Sequence, residues 1–507
     1  MEELERYLEL VEGEPFFRMD YPDIDVIRVE TTYYCITTTM HFFPGAEILT
    51  SPDLVHWTHA SYVYETLDHT PGQRLERENI YGKGMWAASL RYHKGMFYVC
   101  FVANDTGKTY LYRSKTIAGP WEKSRIQGFY HDCSLLFDED GRTYLVYGNR
   151  QIYLTELNET LSAPKEGGLH RLLLEDTGNP MLGYEGSTVL KREGTYYFFF
   201  IHSKPDRWRR VEACFYTDSL TGSLQGGDVF DEDLGYHGAG IAQGCIIDTP
   251  EQEWYAMLFQ DRGAAGRMPV LLPMHFEGKR PVLESPLALA ERSPVTLSGK
   301  KQKYCFRDSF LENALEPQWQ WNHEPQPALA KWGVETGGLR LTTGASCEGL
   351  LQAVNTLTRR LVFPYCEVSV LLDGTNLQDG DFAGLAAFQG SYGAIALGRE
   401  HGVYEIVMMD YRCQPDQGKT AGMLSTVYAG IRMEQPVVRL RAVFRFGTEK
   451  ETVQFYADEV PVGQPKPLWF TLDHFTGCRA ALFCYATEQC GGSALFREFL
   501  MSEGEGE

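Results

Sequence analysis

The sequence predicts an all-β protein in which a five-bladed β-propeller is followed by an antiparallel β-sandwich. Three observations predict this fold class. At 507 residues the chain is too long for one ordinary hydrophobic core. Aromatic residues make up 13% of it and glycine occurs 50 times, a composition typical of strands joined by tight turns. A hairpin-like pattern recurs through the first half and stops near residue 285.

Each copy of the repeat is a turn followed by an aromatic-rich strand. The copies are spaced roughly 45 to 60 residues apart, the period of four-stranded propeller blades. They read TTYYCITTT at 31, GMFYVCFVAND at 95, GRTYLVYGNR at 141, GTYYFFFIHSK at 194 and QEWYAMLFQDR at 252. We therefore predict five blades within residues 1–290.

The strand that precedes each copy should be the innermost strand of its blade. Innermost strands run parallel to the propeller axis, so their first residues should gather at one end of the central channel. The residues brought together would be Asp23, Trp86, Asp132, Glu185 and Gln243. One acid alone would be interpreted as a solvated turn residue, but three acids in the same repeat register predict a functional site.

The second half follows a different pattern. A segment rich in Pro, Ser and Lys predicts a linker over residues 291–305. From 306 to 507, alternating strands such as CEVSVLLDG and VVRLRAVFRFG predict a sandwich of two antiparallel sheets.

Charge and cysteine usage restrict the partners. A net charge of −21 argues against nucleic acid and anionic membranes as partners, whereas a neutral sugar is unaffected. The acidic N-terminus does not resemble a signal peptide, and no segment has the apolar length of a membrane span. The twelve cysteines are scattered without CxxC pairs, which predicts buried reduced thiols and a cytoplasmic location.

The three acids suit glycoside hydrolysis. That reaction needs two carboxyl groups across a pocket, one protonated to donate to the leaving oxygen and one ionised as base or nucleophile. A third carboxylate nearby would raise the pKa of the acid by like-charge repulsion. Trp86 would offer a flat apolar platform to a sugar.

The stretches YPDIDVIRV, MWAASLRYH, HDCSLLFDEDG, YEGSTVLK and GIAQGCIID resemble glycoside hydrolase family 43, the β-xylosidase and α-L-arabinofuranosidase family. The resemblance implies a five-bladed propeller and hydrolysis with inversion. It implies that Asp23 is the general base, with Asp25 behind it in the wall, and that Glu185 is the general acid. Asp132 would raise the pKa of the proton donor and orient it. The carboxyls of Asp23 and Glu185 should then stand roughly 6.5–9.5 Å apart.

Further site residues are expected around these acids. Arg267 resembles an arginine that reaches into the pocket of the non-reducing sugar, with a surface guanidinium as the alternative. His41 and Phe43 are expected in the pocket wall, with a structural role as the alternative for His41. Gln243 stands where many relatives carry a histidine near a metal, which does not favour a central calcium ion. The WRR stretch at 208–210 is expected to be a solvated blade edge.

Residues 306–507 resemble the concanavalin-like domain that follows the propeller in the xylosidase branch of the family. Phe475 matches a loop aromatic that closes the pocket in relatives and favours exo-cleavage, with ordinary core packing as the alternative. No cofactor is expected to be required, and the resemblance allows a structural calcium ion with Asp308 as a candidate ligand.

These observations predict an inverting exo-glycosidase that releases terminal xylose, arabinofuranose or both from short xylo- or arabinoxylo-oligosaccharides. Two alternatives remain open. One is a retaining propeller hydrolase of the fructan- or sucrose-cleaving type, with its acid pair about 5–5.5 Å apart. The other is a non-catalytic carbohydrate-binding propeller. The sequence leaves the choice of sugar open and is compatible with a homo-oligomer.

Overall fold

The computed structural model describes residues 1–292, 303–413 and 422–504. The described chain forms a five-bladed β-propeller and a concanavalin-like β-sandwich, so the predicted fold class is confirmed. Most of the predicted linker, residues 293–302, lies outside the described residues. The exact domain limits, 1–290 and 306–507, stay predictions.

Each blade is an antiparallel sheet of four strands that follow one another in chain order outwards from the axis. Blade one contains β1 (Asp25–Val29), β2 (Thr32–Thr37), β4 (Gly45–Ser51) and β5 (Thr58–Tyr64). Strand β3 (Phe42–Phe43) lies between β2 and β4 in the chain but is not part of this blade. Blade two contains β6 (Met85–His93), β7 (Met96–Ala103), β8 (Lys108–Ser114) and β9 (Glu122–Ile126).

The remaining blades repeat this plan. Blade three contains β10 (Ser134–Phe137), β11 (Thr143–Asn149), β12 (Gln151–Leu157) and β13 (His170–Glu175). Blade four contains β14 (Glu185–Arg192), β15 (Thr195–Ser203), β16 (Arg210–Thr217) and β17 (Gln225–Phe230). Blade five contains β18 (Ile241–Asp248), β19 (Trp254–Asp261), β20 (Arg267–Glu277) and β21 (Arg280–Leu283). The aromatic repeats form the second strand of each blade; β15 is buried along its whole length because sheets cover both of its faces.

Two helices flank the propeller. The first, α1 (Glu2–Leu10), packs against blade five, where the buried Tyr7 hydroxyl accepts the Leu271 N–H at 3.2 Å. The second, α2 (Leu289–Arg292), has only four residues. No helix in the described ranges has both the length and the apolar character needed to cross a membrane.

No strand is shared between blades within residues 1–292; side chains of the innermost strands join them instead. We call the five equivalent residues of these strands the polar ring: Asp25, Ser89, Ser134, Thr188 and Cys245. Three of them accept a backbone N–H from the next blade: Asp25 from Leu90 at 2.8 Å, Ser89 from Leu135 at 3.1 Å and Ser134 from Val189 at 3.1 Å. Thr188 instead donates its hydroxyl to the Gly244 carbonyl oxygen at 2.6 Å. The ring therefore ties the blades together around the channel.

The sandwich consists of two eight-stranded sheets. The first contains β22 (Cys305–Asp308), β24 (Ala330–Lys331), β25 (Leu339–Thr342), β27 (Tyr365–Asp373), β32 (Val437–Arg445), β33 (Thr452–Ala457), β34 (Val460–Pro467) and β36 (Ser493–Ser502). The second contains β23 (Gln320–Asn322), β26 (Leu357–Arg360), β28 (Asp381–Phe388), β29 (Gly393–Glu400), β30 (Val403–Cys413), β31 (Gly422–Met433) and β35 (Arg479–Ala486), with β3 of the propeller as its edge strand.

The two domains are joined by backbone pairing and by buried polar contacts. Strand β3 pairs antiparallel with β23, so the propeller extends a sheet of the sandwich. Arg360 of β26 contacts the fully buried Glu47 at 2.5 Å. Burial acts to raise the pKa of Glu47, but the Arg360 guanidinium acts against burial and holds this pKa at about 2. Asp20 accepts N–H groups from Arg267 at 2.7 Å and from Gly477 at 2.9 Å. These contacts fix a sandwich loop over one end of the propeller channel.

All twelve cysteines are free thiols. Eight are buried: Cys35, Cys100, Cys133, Cys214, Cys245, Cys366, Cys478 and Cys484. Burial raises the pKa of Cys366 to about 12, as expected for thiols that act as small apolar side chains.

Candidate active site

One end of the propeller channel opens into a cavity of about 420 Å³, a volume typical of small-molecule pockets. All five blades and one sandwich loop contribute to its lining. Seven of the predicted site residues line it: Asp23, Trp86, Asp132, Glu185, Gln243, Arg267 and Phe475.

Backbone conformation at the start of each innermost strand directs side chains into the cavity. One equivalent residue of every blade has a positive φ: Asp23 at 50°, Ala87 at 32°, Asp132 at 47°, Gly186 at 64° and Gln243 at 59°. We call these five residues the site ring; each precedes its polar-ring counterpart by two positions. Left-handed conformations are uncommon outside glycine and cluster at functional sites.

The site ring corrects the predicted register. Asp23, Asp132 and Gln243 belong to it, but Trp86 and Glu185 each lie one residue earlier. The strand pairing shifts just after both residues, between Trp86 and Ser89 and between Glu185 and Thr188. These bulges let Trp86 and Glu185 reach the same cavity from a neighbouring position.

On one side of the cavity, Asp23 pairs with Arg267. Arg267 Nη1 donates to Asp23 Oδ1 at 2.8 Å, and the arginine side chain is only 3% exposed. Arg267 is therefore buried in the site and is not a surface guanidinium. The charge-assisted hydrogen bond fixes the orientation of the Asp23 carboxylate.

On the other side, Asp132 and Glu185 lie together. Asp132 Oδ2 accepts the Gly186 N–H at 3.1 Å, and Asn149 Nδ2 donates to Glu185 Oε2 at 2.5 Å. Burial raises the pKa of Asp132 to about 6; the Glu185 and Asp23 carboxylates add to the shift and His131 opposes it. The Asp132 carboxyl, with the Glu185 carboxylate beside it, therefore holds its proton more tightly than an isolated acid would.

Phe475 brings the sandwich into the cavity wall. Its ring stacks on Trp86 with centroids 5.3 Å apart, and the Arg267 guanidinium lies 4.6 Å from its centroid. Arg267 Nη2 also donates to the Phe475 carbonyl oxygen at 3.2 Å. Phe475 is thus a wall residue of the cavity and not part of the sandwich core.

Comparison with known proteins identifies the family. Residues 13–279 match the model of glycosyl hydrolases family 43, and residues 307–502 match the model of the beta xylosidase C-terminal concanavalin A-like domain. The chain belongs to glycosyl hydrolase family 43. The expected family is confirmed, and the protein is a glycoside hydrolase.

Three relatives of this family 43 hydrolase are informative. A beta-xylosidase of Formosa agariphila is 25% identical over 479 residues, which cover 82% of this chain and 78% of that protein. A bifunctional GH43-CE protein of Bacteroides eggerthii superposes with a TM-score of 0.88 at 37% identity; the match covers 98% of this chain and 64% of that one. A GH43 glycoside hydrolase engineered to display endo-xylanase and exo-arabinofuranosidase activity superposes with a TM-score of 0.85 at 26% identity, over 97% and 99% of the two chains.

Family membership disfavours both alternatives left open by the sequence, a fructan- or sucrose-type retaining hydrolase and a non-catalytic sugar-binding propeller. The roles assigned to individual residues of this family 43 member stay predictions.

Two predicted wall residues of the hydrolase lie elsewhere. His41 is fully buried between the domains, with its ring centroid 5.3 Å from that of His323 and 5.6 Å from that of His474. Phe43 lies in β3 and pairs with Trp321. The reason is that this stretch leaves blade one after β2 to join the sandwich sheet. The His41 side chain then packs between the domains, whereas the Phe43 ring packs in the propeller core against Tyr64, with centroids 6.0 Å apart.

The WRR stretch is also corrected. Trp208 and Arg210 line the cavity, together with the sandwich residues Phe470 and Leu472. Trp208 remains 55% exposed and Leu472 75% exposed. Arg210 Nε lies 2.8 Å from Asp261 Oδ2, so this ion pair lies beside the Trp208 indole. The stretch is therefore the outer rim of the site and not a solvated edge.

Sequence reasoning missed His131 and Asn149. His131 Nε2 lies 3.6 Å from both Asp132 Oδ1 and Glu185 Oε2. The Asp132 carboxylate raises the pKa of His131 to about 9 against the opposing effect of burial, with a further contribution from Glu185. The available signal was that His131 directly precedes Asp132. Adjacent residues of a regular strand point to opposite faces, so this signal did not predict that both side chains reach the cavity. They do so because Asp132 has a left-handed backbone conformation.

A structural calcium ion, with Asp308 as a candidate ligand, stays a prediction. Asp308 uses its oxygens locally, since Oδ1 accepts the Phe310 N–H at 2.6 Å and Oδ2 accepts the Trp319 indole N–H at 2.8 Å. Within the described ranges, one set of three acidic or imidazole side chains places its donor atoms within 4.8 Å of one another, namely His131, Asp132 and Glu185. Calcium takes six to eight oxygen ligands, and a protonated imidazole cannot bind a cation.

Proposed function

We propose that this family 43 hydrolase is an inverting exo-glycosidase that releases terminal xylose or arabinofuranose from short xylo- or arabinoxylo-oligosaccharides. The observation that carries the proposal is the meeting of Asp23, Asp132 and Glu185 in one cavity beneath Phe475. The names of the relatives, beta-xylosidase and exo-arabinofuranosidase, support pentoses as substrates. A cytoplasmic location, which suits imported short substrates, is part of the proposal.

The proposed reaction is a single displacement. Asp23 accepts a proton from a water molecule while the water oxygen forms a bond to the anomeric carbon. The bond from that carbon to the glycosidic oxygen breaks, and Glu185 gives its proton to this oxygen. Asp132 stays beside Glu185 and is held by the Gly186 N–H. This mechanism requires the roughly 6.5–9.5 Å separation of Asp23 and Glu185, which stays a prediction.

The wall around Asp23 supports cleavage at a chain end. Phe475 contacts both Trp86 and Arg267 there, and the three side chains together form one wall of the cavity. A sugar whose ring lies on the Trp86 indole would therefore be the last residue of its chain.

The outer rim supports an oligosaccharide leaving group. Trp208, Phe470 and Leu472 present apolar surface at the cavity mouth, and Arg210 and Asp261 add polar groups. A second sugar offers the same combination, a C–H face and hydroxyl groups. The rim accommodates short substrates without requiring a long groove.

The test is hydrolysis of an aryl β-xyloside, an aryl α-L-arabinofuranoside and xylobiose by wild type and Glu185→Ala. We expect wild type to cleave at least one pentoside and Glu185→Ala to bind xylose but lose hydrolysis. Glu193→Ala is the matched control, because Glu193 is an exposed residue of the same blade. A wild-type protein that binds these sugars and cleaves none of them would contradict the proposal.

A further inference from the structure

We infer that His131 is the charge partner of the Asp132–Glu185 pair, and that its imidazolium sets the pH range over which this pair carries a single proton. The inference rests on the proposed roles of Asp132 and Glu185 and adds a further residue to the same site.

The position of His131 is fixed from several sides. Its Nε2 lies 3.6 Å from one oxygen of each carboxyl group. Its carbonyl oxygen accepts the Gly148 N–H at 2.9 Å, which holds the backbone against blade three. Its ring lies 6.1 Å from the Trp86 indole, and its side chain is 21% exposed at the cavity wall.

The other cationic side chains of the cavity are paired with other carboxylates, so His131 is the charge partner of Asp132 and Glu185. Three side chains that line the cavity can be cationic: His131, Arg210 and Arg267. Arg267 pairs with Asp23 at 2.8 Å, and Arg210 pairs with Asp261 at 2.8 Å. Asn149 donates to Glu185 but carries no charge. Among the described lining residues, His131 is therefore the cation that faces Asp132 and Glu185.

The protonation state of His131 agrees with this geometry. Its pKa is raised to about 9, mainly by the Asp132 carboxylate, so the ring is charged at neutral pH. Without that charge, the buried pair would release its proton only at a higher pH, because burial and like charge both favour the protonated form.

A charged His131 would also act during the reaction. When the proton leaves for the glycosidic oxygen, both carboxyls of the pair become negative at once. A cation 3.6 Å from each of them stabilises this state more than the starting state, in which the pair carries one charge. The group thus favours proton donation without supplying the proton.

The first test compares the pH dependence of kcat/KM for wild type, His131→Gln, His131→Lys and His170→Gln. We expect His131→Gln to shift the profile upwards by about one pH unit or more and to lower kcat. His131→Lys, which restores the charge, should keep the wild-type profile. His170→Gln is the matched control, because His170 is an exposed residue of the same blade.

A second measurement does not depend on folding of a variant. Diethyl pyrocarbonate modifies neutral imidazoles, and peptide mass spectrometry can follow each histidine of wild type as the pH is raised. We expect modification of His131 to begin only near pH 9, well above the pH at which an unperturbed imidazole, with a pKa of about 6.5, loses its proton.

Two outcomes would overturn the inference: an active His131→Gln with an unshifted profile, or modification of His131 over the pH range of an unperturbed imidazole, around its pKa of about 6.5. A wild type that cleaves no pentoside would instead overturn the proposed function. The modification experiment would still decide whether His131 is charged.

Discussion

Asp23 and Asp25 are separated by one residue, yet they belong to different rings of the propeller. Asp23 has a left-handed backbone, lines the cavity and pairs with Arg267. Asp25 lies inside β1, where its carboxylate accepts the Leu90 N–H at 2.8 Å and contacts Arg91 at 2.6 Å. Burial raises the pKa of Asp25 although Arg91 opposes the shift. One acid is available to a ligand, and the other joins two blades.

The same contrast holds around the whole channel. Site-ring residues lie at or near the start of the innermost strands, and either they or the residues just before them line the cavity. Polar-ring residues lie two positions later and hydrogen-bond to the next blade. The role of an acid in this fold therefore depends on its distance from the start of its strand. The predictions below test that contrast, from the largest expected effect to the smallest.

Replacement in the site ring should abolish activity without unfolding the protein. We expect Asp23→Asn to lower kcat by about 10³-fold or more, because the base that activates water is lost. The melting temperature should also fall, because Arg267 loses its buried anionic partner, but the variant should stay folded at the assay temperature. Steady-state kinetics and thermal melting measure both quantities; a variant with more than a tenth of wild-type kcat would remove Asp23 from the proposed mechanism.

Replacement in the polar ring should lower stability but spare activity. Asp25→Asn leaves Arg91 without its anionic partner and should lower the free energy of unfolding by about 3 kcal/mol. The kcat of the protein that remains folded should stay within about twofold of wild type, since Asp25 is not expected to touch substrate. Urea unfolding and kinetics at low temperature give the two values. Loss of kcat with unchanged stability would erase the contrast between the rings.

Glu212 is an intermediate case, an acid of β16 whose Oε2 accepts the N–H of the site-ring residue Gln243 at 2.7 Å. Burial raises its pKa from 4.5 to about 8. Between these values the folded protein keeps a proton that the unfolded chain releases, so stability falls as pH rises. From pH 6 to pH 9, wild type should lose about 2–3 kcal/mol more than Glu212→Gln.

Urea unfolding at several pH values measures this difference. Glu232→Gln, at an exposed site nearby, is the control and should follow wild type. If Glu212→Gln and wild type change in parallel with pH, Glu212 is not a buried neutral acid.

The outer rim should matter least. Trp208→Ala should raise KM for xylotriose about fivefold, because the leaving group loses an aromatic platform. The KM for an aryl pentoside should change less, and kcat should be retained. Trp469→Ala, at a 40% exposed tryptophan of the sandwich, is the control. Equal KM values for xylotriose in Trp208→Ala and wild type would exclude Trp208 from the leaving-group site.

The fold could be predicted because its signals are local and repeated. Five aromatic strands at a similar spacing identify the blades, and each innermost strand directly precedes its aromatic partner. The cavity residues Asp23, Asp132 and Gln243 could be found in the same way, since the repeat brings equivalent residues to one end of the channel.

The other site residues could not be placed from the sequence, because their positions depend on long-range packing. His41 and Phe43 belong to a segment that leaves its blade to join a strand almost 280 residues away. Trp208 looks like an exposed hairpin residue until the sandwich loop adds Phe470 and Leu472 to the same cavity lining. His131 and the one-residue offset of Glu185 depend on left-handed residues and bulges, which a periodic pattern does not reveal.

The stereochemistry of the first product tests the central claim most directly. We propose that Asp23 activates water while Glu185, across the cavity, protonates the leaving oxygen. Proton NMR recorded in the first minutes of hydrolysis of the cleaved aryl pentoside shows which anomer is released before mutarotation. The account predicts the inverted sugar, α-xylose from a β-xyloside or β-arabinofuranose from an α-L-arabinofuranoside. Initial release of the retained anomer would show that a carboxylate, and not water, attacks the sugar, and would contradict the account.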